Sequence, residues 1–248
     1  MISFVLIQHK VLNIVLNQHK VRRMRPLSYA SASHPTWICD RPRAMDFTEY
    51  VVAHLQPPPA RVLEVGCGDR GGVTPALVAR GYDVLAIDPR APDGPPYRRI
   101  TLEELADPGP FDAVVAGRVL HHVDPLGPAL DKLSALAPLL IVDEFAWNHI
   151  DPSSQVWYEA LHQELVAAGG KPNAPPSLDE WRFAHRDLHP YETLRVELDR
   201  CYEERNVEWL PYFHLWLGAD VEEREQAAIA AGTIRPIGVR YVGRTRVC

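Results

Sequence analysis

The stretch Arg61-Val62-Leu63-Glu64-Val65-Gly66-Cys67-Gly68-Asp69-Arg70-Gly71-Gly72 joins an apolar run carrying one acid to a glycine-rich turn. The run 61–65 has the composition of a buried strand. The segment 73–79 that follows the turn predicts a helix, with Gly81 as its C-terminal stop. Glycines at 66 and 68 let the backbone turn sharply and come close to a ligand. We therefore expect a nucleotide-like ligand at this turn.

Predicted strands and helices alternate along the chain. The sequence predicts strands over 82–88, 97–100, 111–116 and 139–142, and helices over 46–55, 102–105 and 126–136. Short apolar strands that alternate with helices indicate a doubly wound, mostly parallel α/β sheet covered on both faces. Ligands of such sheets bind at the carboxyl ends of the strands, where the strand order reverses.

Composition limits the class of protein. A chain of 248 residues that is 46% hydrophobic can bury the core of one large domain. The four cysteines are scattered and no pair has metal-ligand spacing, so we predict a reduced, cytoplasmic environment and no metal site. Residues 45–248 hold 19 basic and 31 acidic side chains, a net charge of −12, which argues against general nucleic-acid binding.

Residues 1–44 differ from the rest, with seven basic residues, one acid and a repeated Gln-His-Lys at 8–10 and 18–20. We interpret them as a leader outside the fold, either disordered or an arginine-rich targeting segment, with the domain over 45–248. A membrane span is not expected, because His9 and Lys10 interrupt the apolar run far short of the roughly 20 residues needed.

Two acids flank the glycine turn. Asp88 lies twenty residues after Gly68 at the end of the next predicted strand, where a carboxylate can accept hydrogen bonds from a ribose diol. Glu64 lies inside an apolar strand, which is costly unless a cation or hydrogen-bond donors meet it, and the ammonium of a sulfonium amino acid would suit. The glycines at 66, 68 and 71 also fit a dinucleotide fingerprint, so a nicotinamide oxidoreductase is an alternative. None of the nine tyrosines has a lysine four residues on, which weighs against a short-chain dehydrogenase.

Four motifs occur in order: Glu64-Val65-Gly66-Cys67-Gly68, Asp88, Phe111-Asp112-Ala113-Val114-Val115 and Leu120-His121-His122-Val123-Asp124-Pro125. Together they resemble class I S-adenosylmethionine-dependent methyltransferases that act on small molecules. The resemblance covers roughly residues 45–145.

The resemblance implies a seven-stranded Rossmann-like sheet and S-adenosylmethionine as cofactor. It implies that Glu64, Gly66, Cys67 and Gly68 line the methionine end, that Asp88 holds the ribose, and that Thr101 and Leu102 flank the adenine. Two departures stand out: Arg70 occupies the place of the usual third glycine, and Thr101 that of an acid often found against the adenine amino group. A non-catalytic nucleoside-binding module is a further alternative.

Transfer of a methyl group from a sulfonium needs alignment and exclusion of water more than covalent help from the protein. His121 and His122 follow the fourth strand and are candidate bases, or else residues that shape the pocket. We expect an extended segment there, with the two side chains pointing in opposite directions. Arg118 could pair with the cofactor carboxylate, with a substrate acid, or with solvent.

We expect the segment after the fifth predicted strand to contact the methyl acceptor. Glu144 and His149 follow that strand in an expected loop and are candidate substrate contacts. Residues 150–190 predict a helical insertion, with one helix over 154–168 and a second one capped by Ser177 and Glu180. Five tryptophans lie from 147 onward, either around an acceptor pocket or as core packing of the insertion.

Strands over 207–217 and 237–246 complete the sheet, and Glu222 to Glu225 predict a solvent face between them. The acceptor and the oligomeric state stay open.

Overall fold

The computed structural model describes residues 45–106, 109–172 and 174–246, which form one mixed sheet with helices on both faces. The leader predicted for 1–44 lies outside the described residues. The strands are β1 (Arg61–Val65), β2 (Asp83–Ile87), β3 (Tyr97–Arg98), β4 (Ala113–Gly117), β5 (Leu139–Phe145), β6 (Tyr202–Leu210) and β7 (Gly238–Thr245). The helices are α1 (Phe47–His54), α2 (Thr74–Ala79), α3 (Leu126–Leu136), α4 (Pro152–Ala167), α5 (Leu178–Ala184), α6 (Tyr191–Cys201), α7 (His214–Leu217) and α8 (Glu222–Ala230).

The strand order is β3-β2-β1-β4-β5-β7-β6. Strands β1 to β5 pair in parallel, whereas β7 runs antiparallel to both β5 and β6. The chain leaves β1 towards β3 and returns on the other side of β1 as β4. The order therefore reverses between β1 and β4, and the glycine turn lies at that point, where open α/β sheets bind ligands. The predicted seven-stranded, doubly wound sheet is confirmed.

Alternate residues of the central strands feed two cores. Leu63 of β1 and Val114 of β4 belong to the core that α3 and α6 cover. Their neighbours Val62 and Val115 face the opposite way and pack with Tyr50 of α1. Because both faces of β1 and β4 are buried, these strands read as continuous apolar runs in the sequence.

The helical insertion predicted after β5 consists of α4 and α5 and packs with α7 and α8 around a third core. Its centre includes Phe145, Tyr158 and Phe213. Four of the five tryptophans pack against this core, at 147, 157, 181 and 216, while Trp209 on β6 is 40% exposed. The packing interpretation therefore accounts for four of the five tryptophans.

Three local predictions differ from the structure. Residues 102–104 form a turn and not a helix, with Thr101 and Glu104 exchanging side-chain and backbone hydrogen bonds. The strand predicted to reach 217 ends at Leu210, and α7 follows. Ser177 occupies the N-terminal cap of α5, yet its side chain makes no capping hydrogen bond.

The predicted solvent face at 222–225 was also wrong for two of its acids. Glu222 and Glu225 are both buried. The carboxylate of Glu225 accepts the backbone N–H groups of Tyr212, Phe213 and His214 at 2.6, 2.9 and 2.8 Å. The buried side of α8 therefore holds the backbone at the start of α7 through Glu225.

Within the described part of the chain, no helix has both the length and the apolar character that a membrane crossing would require.

Candidate functional site

Glu64 on β1 holds the start of α2. Its side chain is buried, and its two oxygens accept the backbone N–H groups of Val73 and Thr74, each at 2.9 Å, and the Thr74 hydroxyl at 2.5 Å. Burial raises the pKa of Glu64, and these hydrogen bonds oppose the rise. Because a helix N-terminus offers unpaired N–H groups and a positive dipole, it compensates the buried charge. The donors that the sequence required for Glu64 thus come from α2.

The turn between β1 and α2 uses glycine for two different reasons. Gly66 has a φ of 80°, and a Cβ at this position would lie 2.5 Å from Val119 just after β4. Gly68 has a φ of 63°, but a Cβ there would meet no heavy atom within 4 Å. Gly66 therefore packs the turn against the end of β4, whereas the backbone of Gly68 faces open space that a ligand can enter.

Asp88 and the glycine turn are joined directly. One carboxylate oxygen of Asp88 accepts the Gly68 N–H at 3.1 Å, and the other accepts the Arg90 N–H at 2.7 Å. Asp88, the residue after β2, therefore lies beside the open side of Gly68. Cys67 is buried and packs with Ala86 and Ala91. Burial raises the pKa of the Cys67 thiol to about 12, so it stays protonated.

Both predicted adenine neighbours, Thr101 and Leu102, have structural partners. The Thr101 hydroxyl accepts the Glu104 N–H at 3.3 Å. Leu102 is a member of the core covered by α3, and its carbonyl accepts a hydrogen bond from Lys132 at 2.7 Å. The segment is therefore held by hydrogen bonds near the end of β3, and Leu102 contributes to the core. Arg70, in the position of the usual third glycine, is exposed on the turn.

Arg118 directly follows β4 with unusual backbone geometry. Among the described residues it is the one non-glycine residue with a left-handed φ, 53°. Its N–H donates to the Asp143 carbonyl at 2.6 Å, and its guanidinium lies 3.8 Å from the Asp143 carboxylate. Its side chain is 52% exposed. Sparsely populated conformations of this kind cost roughly 1–3 kcal/mol and concentrate at functional sites.

His121 and Glu144 form a buried pair beyond β4. The Nδ1 atom of His121 lies 2.6 Å from a Glu144 oxygen, and the other oxygen accepts the Leu120 N–H at 2.7 Å. The expectation that Glu144 lies in a loop was wrong, because β5 continues to Phe145 and buries it. The carboxylate thus orients a histidine rather than facing an open loop.

His122 lies beside His121 and not opposite to it. Residues 120–122 form a 3-10 turn in which the two imidazole centroids are 4.1 Å apart, so the expected extended segment was wrong. Desolvation, followed by the neighbouring His121, lowers the pKa of His122 to about 4. His122 is therefore neutral at pH 7.

His149 belongs to a separate cluster. It lies in a 3-10 turn after β5, with Nε2 2.6 Å from Glu192 of α6 and its ring stacked on Trp209 at 5.5 Å. These contacts attach the turn to α6 and β6. His149 therefore has a structural role that requires no contact with a substrate.

A cavity of about 520 Å³ opens at the carboxyl ends of β4 and β5 on the α1 face. Its polar lining includes Arg118, Asp143, Tyr212 and Arg240, and its apolar lining includes Phe47. Arg118 in this lining directly precedes Val119, the residue against which Gly66 packs. Tyr212 and Arg240 were not predicted as site residues, since only the fold brings β7 and the chain before α7 to this edge.

Residues 40–208 match the family model of the methyltransferase domain. The chain belongs to that family. The predicted class I methyltransferase resemblance is confirmed, and the oxidoreductase alternative receives no support from the match.

Relatives of this methyltransferase-domain chain include the ubiquinone biosynthesis O-methyltransferase of Xanthomonas campestris pv. campestris, 40% identical over 108 residues. That similarity covers 36% of this chain and 44% of the relative, so the chain matches less than half the length of that protein. The corresponding protein of Xanthomonas axonopodis pv. citri is 42% identical over the same extent.

Two solved structures share the fold. One is an S-adenosylmethionine-dependent methyltransferase from Mesorhizobium loti, with a TM-score of 0.50, 17% identity, and coverage of 79% of this chain and 96% of that one. The other is the 1,6-didemethyltoxoflavin-N1-methyltransferase of Burkholderia thailandensis, with a TM-score of 0.50, 17% identity, and coverage of 81% and 77%.

Proposed function

We propose that this protein transfers a methyl group from S-adenosylmethionine to a small-molecule acceptor by direct displacement. Membership of the methyltransferase domain family supports the reaction class. The observation that carries the proposal is the hydrogen bond between the Gly68 N–H and the Asp88 carboxylate. It places a carboxylate beside the open face of the glycine turn, at the point where the strand order of the sheet reverses.

The residues at this turn fit a nucleoside with an amino-acid tail. Asp88 would accept hydrogen bonds from the ribose hydroxyls, because its oxygens lie at the end of β2 and are oriented by the N–H groups of Gly68 and Arg90. Gly66 and Gly68 would hold the methionine part, with Glu64 supporting them through α2. Thr101 and Leu102 would flank the adenine, as the resemblance implies.

When bound, S-adenosylmethionine supplies an activated methyl group with its own leaving group. The protein then has to align the acceptor and exclude water. His121, oriented by Glu144, and the neutral His122 lie beyond β4 and would shape this region or accept a proton from an acceptor hydroxyl or amine. The sequence left the cofactor carboxylate, a substrate acid and solvent open as partners of Arg118, and its location in the cavity lining favours the substrate acid.

Titration calorimetry with S-adenosylmethionine and S-adenosylhomocysteine tests the donor site. We expect both to bind, and a labelled methyl group to pass from the donor to a compound of a metabolite extract. A folded protein that binds neither ligand would contradict the proposal.

Asp88→Ala is the site-specific variant, with Asp93→Ala as its control in the same loop. Asp93 is exposed and pairs with Arg99 at 3.1 Å. We expect Asp88→Ala to weaken S-adenosylhomocysteine binding at least tenfold, because hydrogen bonds to a charged group contribute about 1.5–3 kcal/mol. The control should bind normally, and equal affinity for both variants would remove Asp88 from the site. The cytoplasmic location and the absence of a nucleic-acid or membrane partner stay predictions.

A further inference from the structure

The cavity at the ends of β4 and β5 has a polar corner with a defined donor arrangement. Asp143 lies between two guanidiniums, 3.4 Å from Arg240 and 3.8 Å from Arg118. Arg240 is buried, donates also to the Met45 carbonyl and lies 5.1 Å from the centre of the Tyr50 ring. Arg240 thus lies closer to Asp143 than Arg118 does and also donates a hydrogen bond to it.

Arg118 keeps binding capacity towards the cavity. A guanidinium has five N–H donors, and the long contact with Asp143 and the nearby Tyr212 hydroxyl cannot use all of them. The other acids of the lining have compensation of their own. Asp46 is exposed and caps the N-terminus of α1 by accepting the Thr48 N–H, and Glu222 lies in the first turn of α8 and accepts from Gln226.

Tyr212 presents a fixed hydroxyl next to Arg118. Its ring stacks on Phe145 with centroids 4.5 Å apart and planes 10° from parallel, and its backbone N–H is held by the buried Glu225. Burial raises the pKa of Tyr212, so the phenol stays protonated. When the guanidinium donates to the phenol oxygen, the O–H remains available to a ligand.

We infer that Arg118 and Tyr212 bind the carboxylate of the methyl acceptor in this cavity. An arginine fork with a protonated phenol beside it matches two carboxylate oxygens, and Arg is the side chain suited to such bidentate recognition. The volume of about 520 Å³ suits a small molecule, and Phe47, Leu210 and Leu215 provide apolar walls for its body. This inference rests on the proposed function and narrows its acceptor to small organic acids.

Ligand-detected NMR with benzoate and its neutral isostere benzamide tests the carboxylate site, with and without S-adenosylhomocysteine. We expect benzoate to bind and benzamide to bind at least tenfold more weakly. Tyr212→Phe keeps the ring stacking and removes the hydroxyl. Arg118→Lys keeps the positive charge and the left-handed backbone but loses the planar guanidinium that can donate two parallel hydrogen bonds. Each should weaken benzoate binding about tenfold, while Tyr191→Phe on α6 should have no effect.

The outcomes separate the acceptor site from the donor site. If S-adenosylhomocysteine binds but benzoate does not, or if benzoate binds equally to wild type and to both cavity variants, the carboxylate site is wrong and the proposed methyl transfer stands. If benzoate shows the expected pattern without S-adenosylhomocysteine binding, the cavity is an acid-binding site, but its role as an acceptor site in methyl transfer is overturned. Circular dichroism of each variant checks the fold, and an unfolded Arg118→Lys leaves the decision to Tyr212→Phe.

Discussion

At the scale of single residues, buried glutamates hold the turns of the candidate site. Glu64 accepts N–H groups from the start of α2, Glu144 accepts from the turn after β4, and Glu225 accepts from the chain before α7. Each acid lies at 3% exposure or less. A buried carboxylate requires such donors, so each of these acids specifies the path of a distant turn.

Replacing Glu225 with glutamine tests this role. An amide retains one acceptor oxygen but points its NH₂ group at backbone donors, so we expect the free energy of unfolding to fall by about 2 kcal/mol. The exposed neighbour Glu223 provides the matched control, since Glu223→Gln on the same helix should change stability little. Urea denaturation measures both variants. Equal stability of the two would mean that the Glu225 contacts contribute nothing.

His122 gives the protein a pH dependence. Its pKa is lowered from an ordinary value of 6.5 to about 4, so the unfolded chain binds a proton that the folded site refuses. The contribution of His122 to stability is complete above pH 6.5 and is lost as the pH falls towards 4. Thermal unfolding of wild type and of His122→Asn across pH 4–7.5 should show a shallower acid loss in the variant, and parallel curves would contradict the assignment.

At the scale of elements, the glycine turn binds β1, β2 and β4 together. Gly66 donates to the Ile87 carbonyl of β2 at 2.9 Å and lies against Val119 beyond β4. Glu64 ties the same turn to α2. The position of the donor site therefore depends on three strands and one helix, and not on the turn alone.

Gly66→Ala and Gly94→Ala separate backbone strain from packing. Both glycines have a φ of 80°, but a Cβ at Gly66 would lie 2.5 Å from Val119, whereas at Gly94 it would meet nothing within 4 Å. We expect Gly94→Ala to cost about 1–2 kcal/mol of stability through the left-handed backbone alone. Gly66→Ala should cost more and also weaken S-adenosylhomocysteine binding in calorimetry. If the two variants had the same stability and the same affinity for S-adenosylhomocysteine, Val119 would be able to move aside without an energetic cost.

At the scale of the whole molecule, Arg240 joins the last strand to the first described helix. From β7 it pairs with Asp143 of β5, donates to the Met45 carbonyl before α1, and lies over the Tyr50 and Phe47 rings. Burial raises the pKa of Asp143, and the two guanidiniums oppose that rise. One side chain thus holds together parts of the chain that are about 195 positions apart.

Arg240→Met should destabilise the protein by about 3 kcal/mol, because it leaves the buried Asp143 with a single, more distant cation. Amide hydrogen exchange should accelerate in α1, which loses its tie to β7. Arg244→Met, an exposed residue near the end of the same strand, is the control and should change neither quantity. Unchanged exchange in α1 of Arg240→Met would mean that apolar contacts alone hold this helix.

Much of the fold was predictable from short-range pattern. The bounds of β1 were predicted at both ends, and α3 also matches, because an apolar strand before glycines and a periodic helix are determined by neighbours in sequence. The relation of Asp88 to Gly68 was predictable for a similar reason, since parallel strands end at one edge. These local rules were insufficient at Glu144 and in the chain after Leu210. Glu144 is held by a hydrogen bond to a residue 24 positions away, and the chain after Leu210 by a hydrogen bond to a residue 11 positions away.

The sequence by itself therefore determined the central apolar strands, the glycine turn and the acid that follows the second strand. Only the tertiary structure decided that Glu144 orients His121, that Glu225 holds Tyr212, and that Arg118, Asp143 and Arg240 meet in one cavity. The physical reason is that backbone turning is specified locally, whereas the free energy of a buried charge depends on which distant donors the fold brings to it.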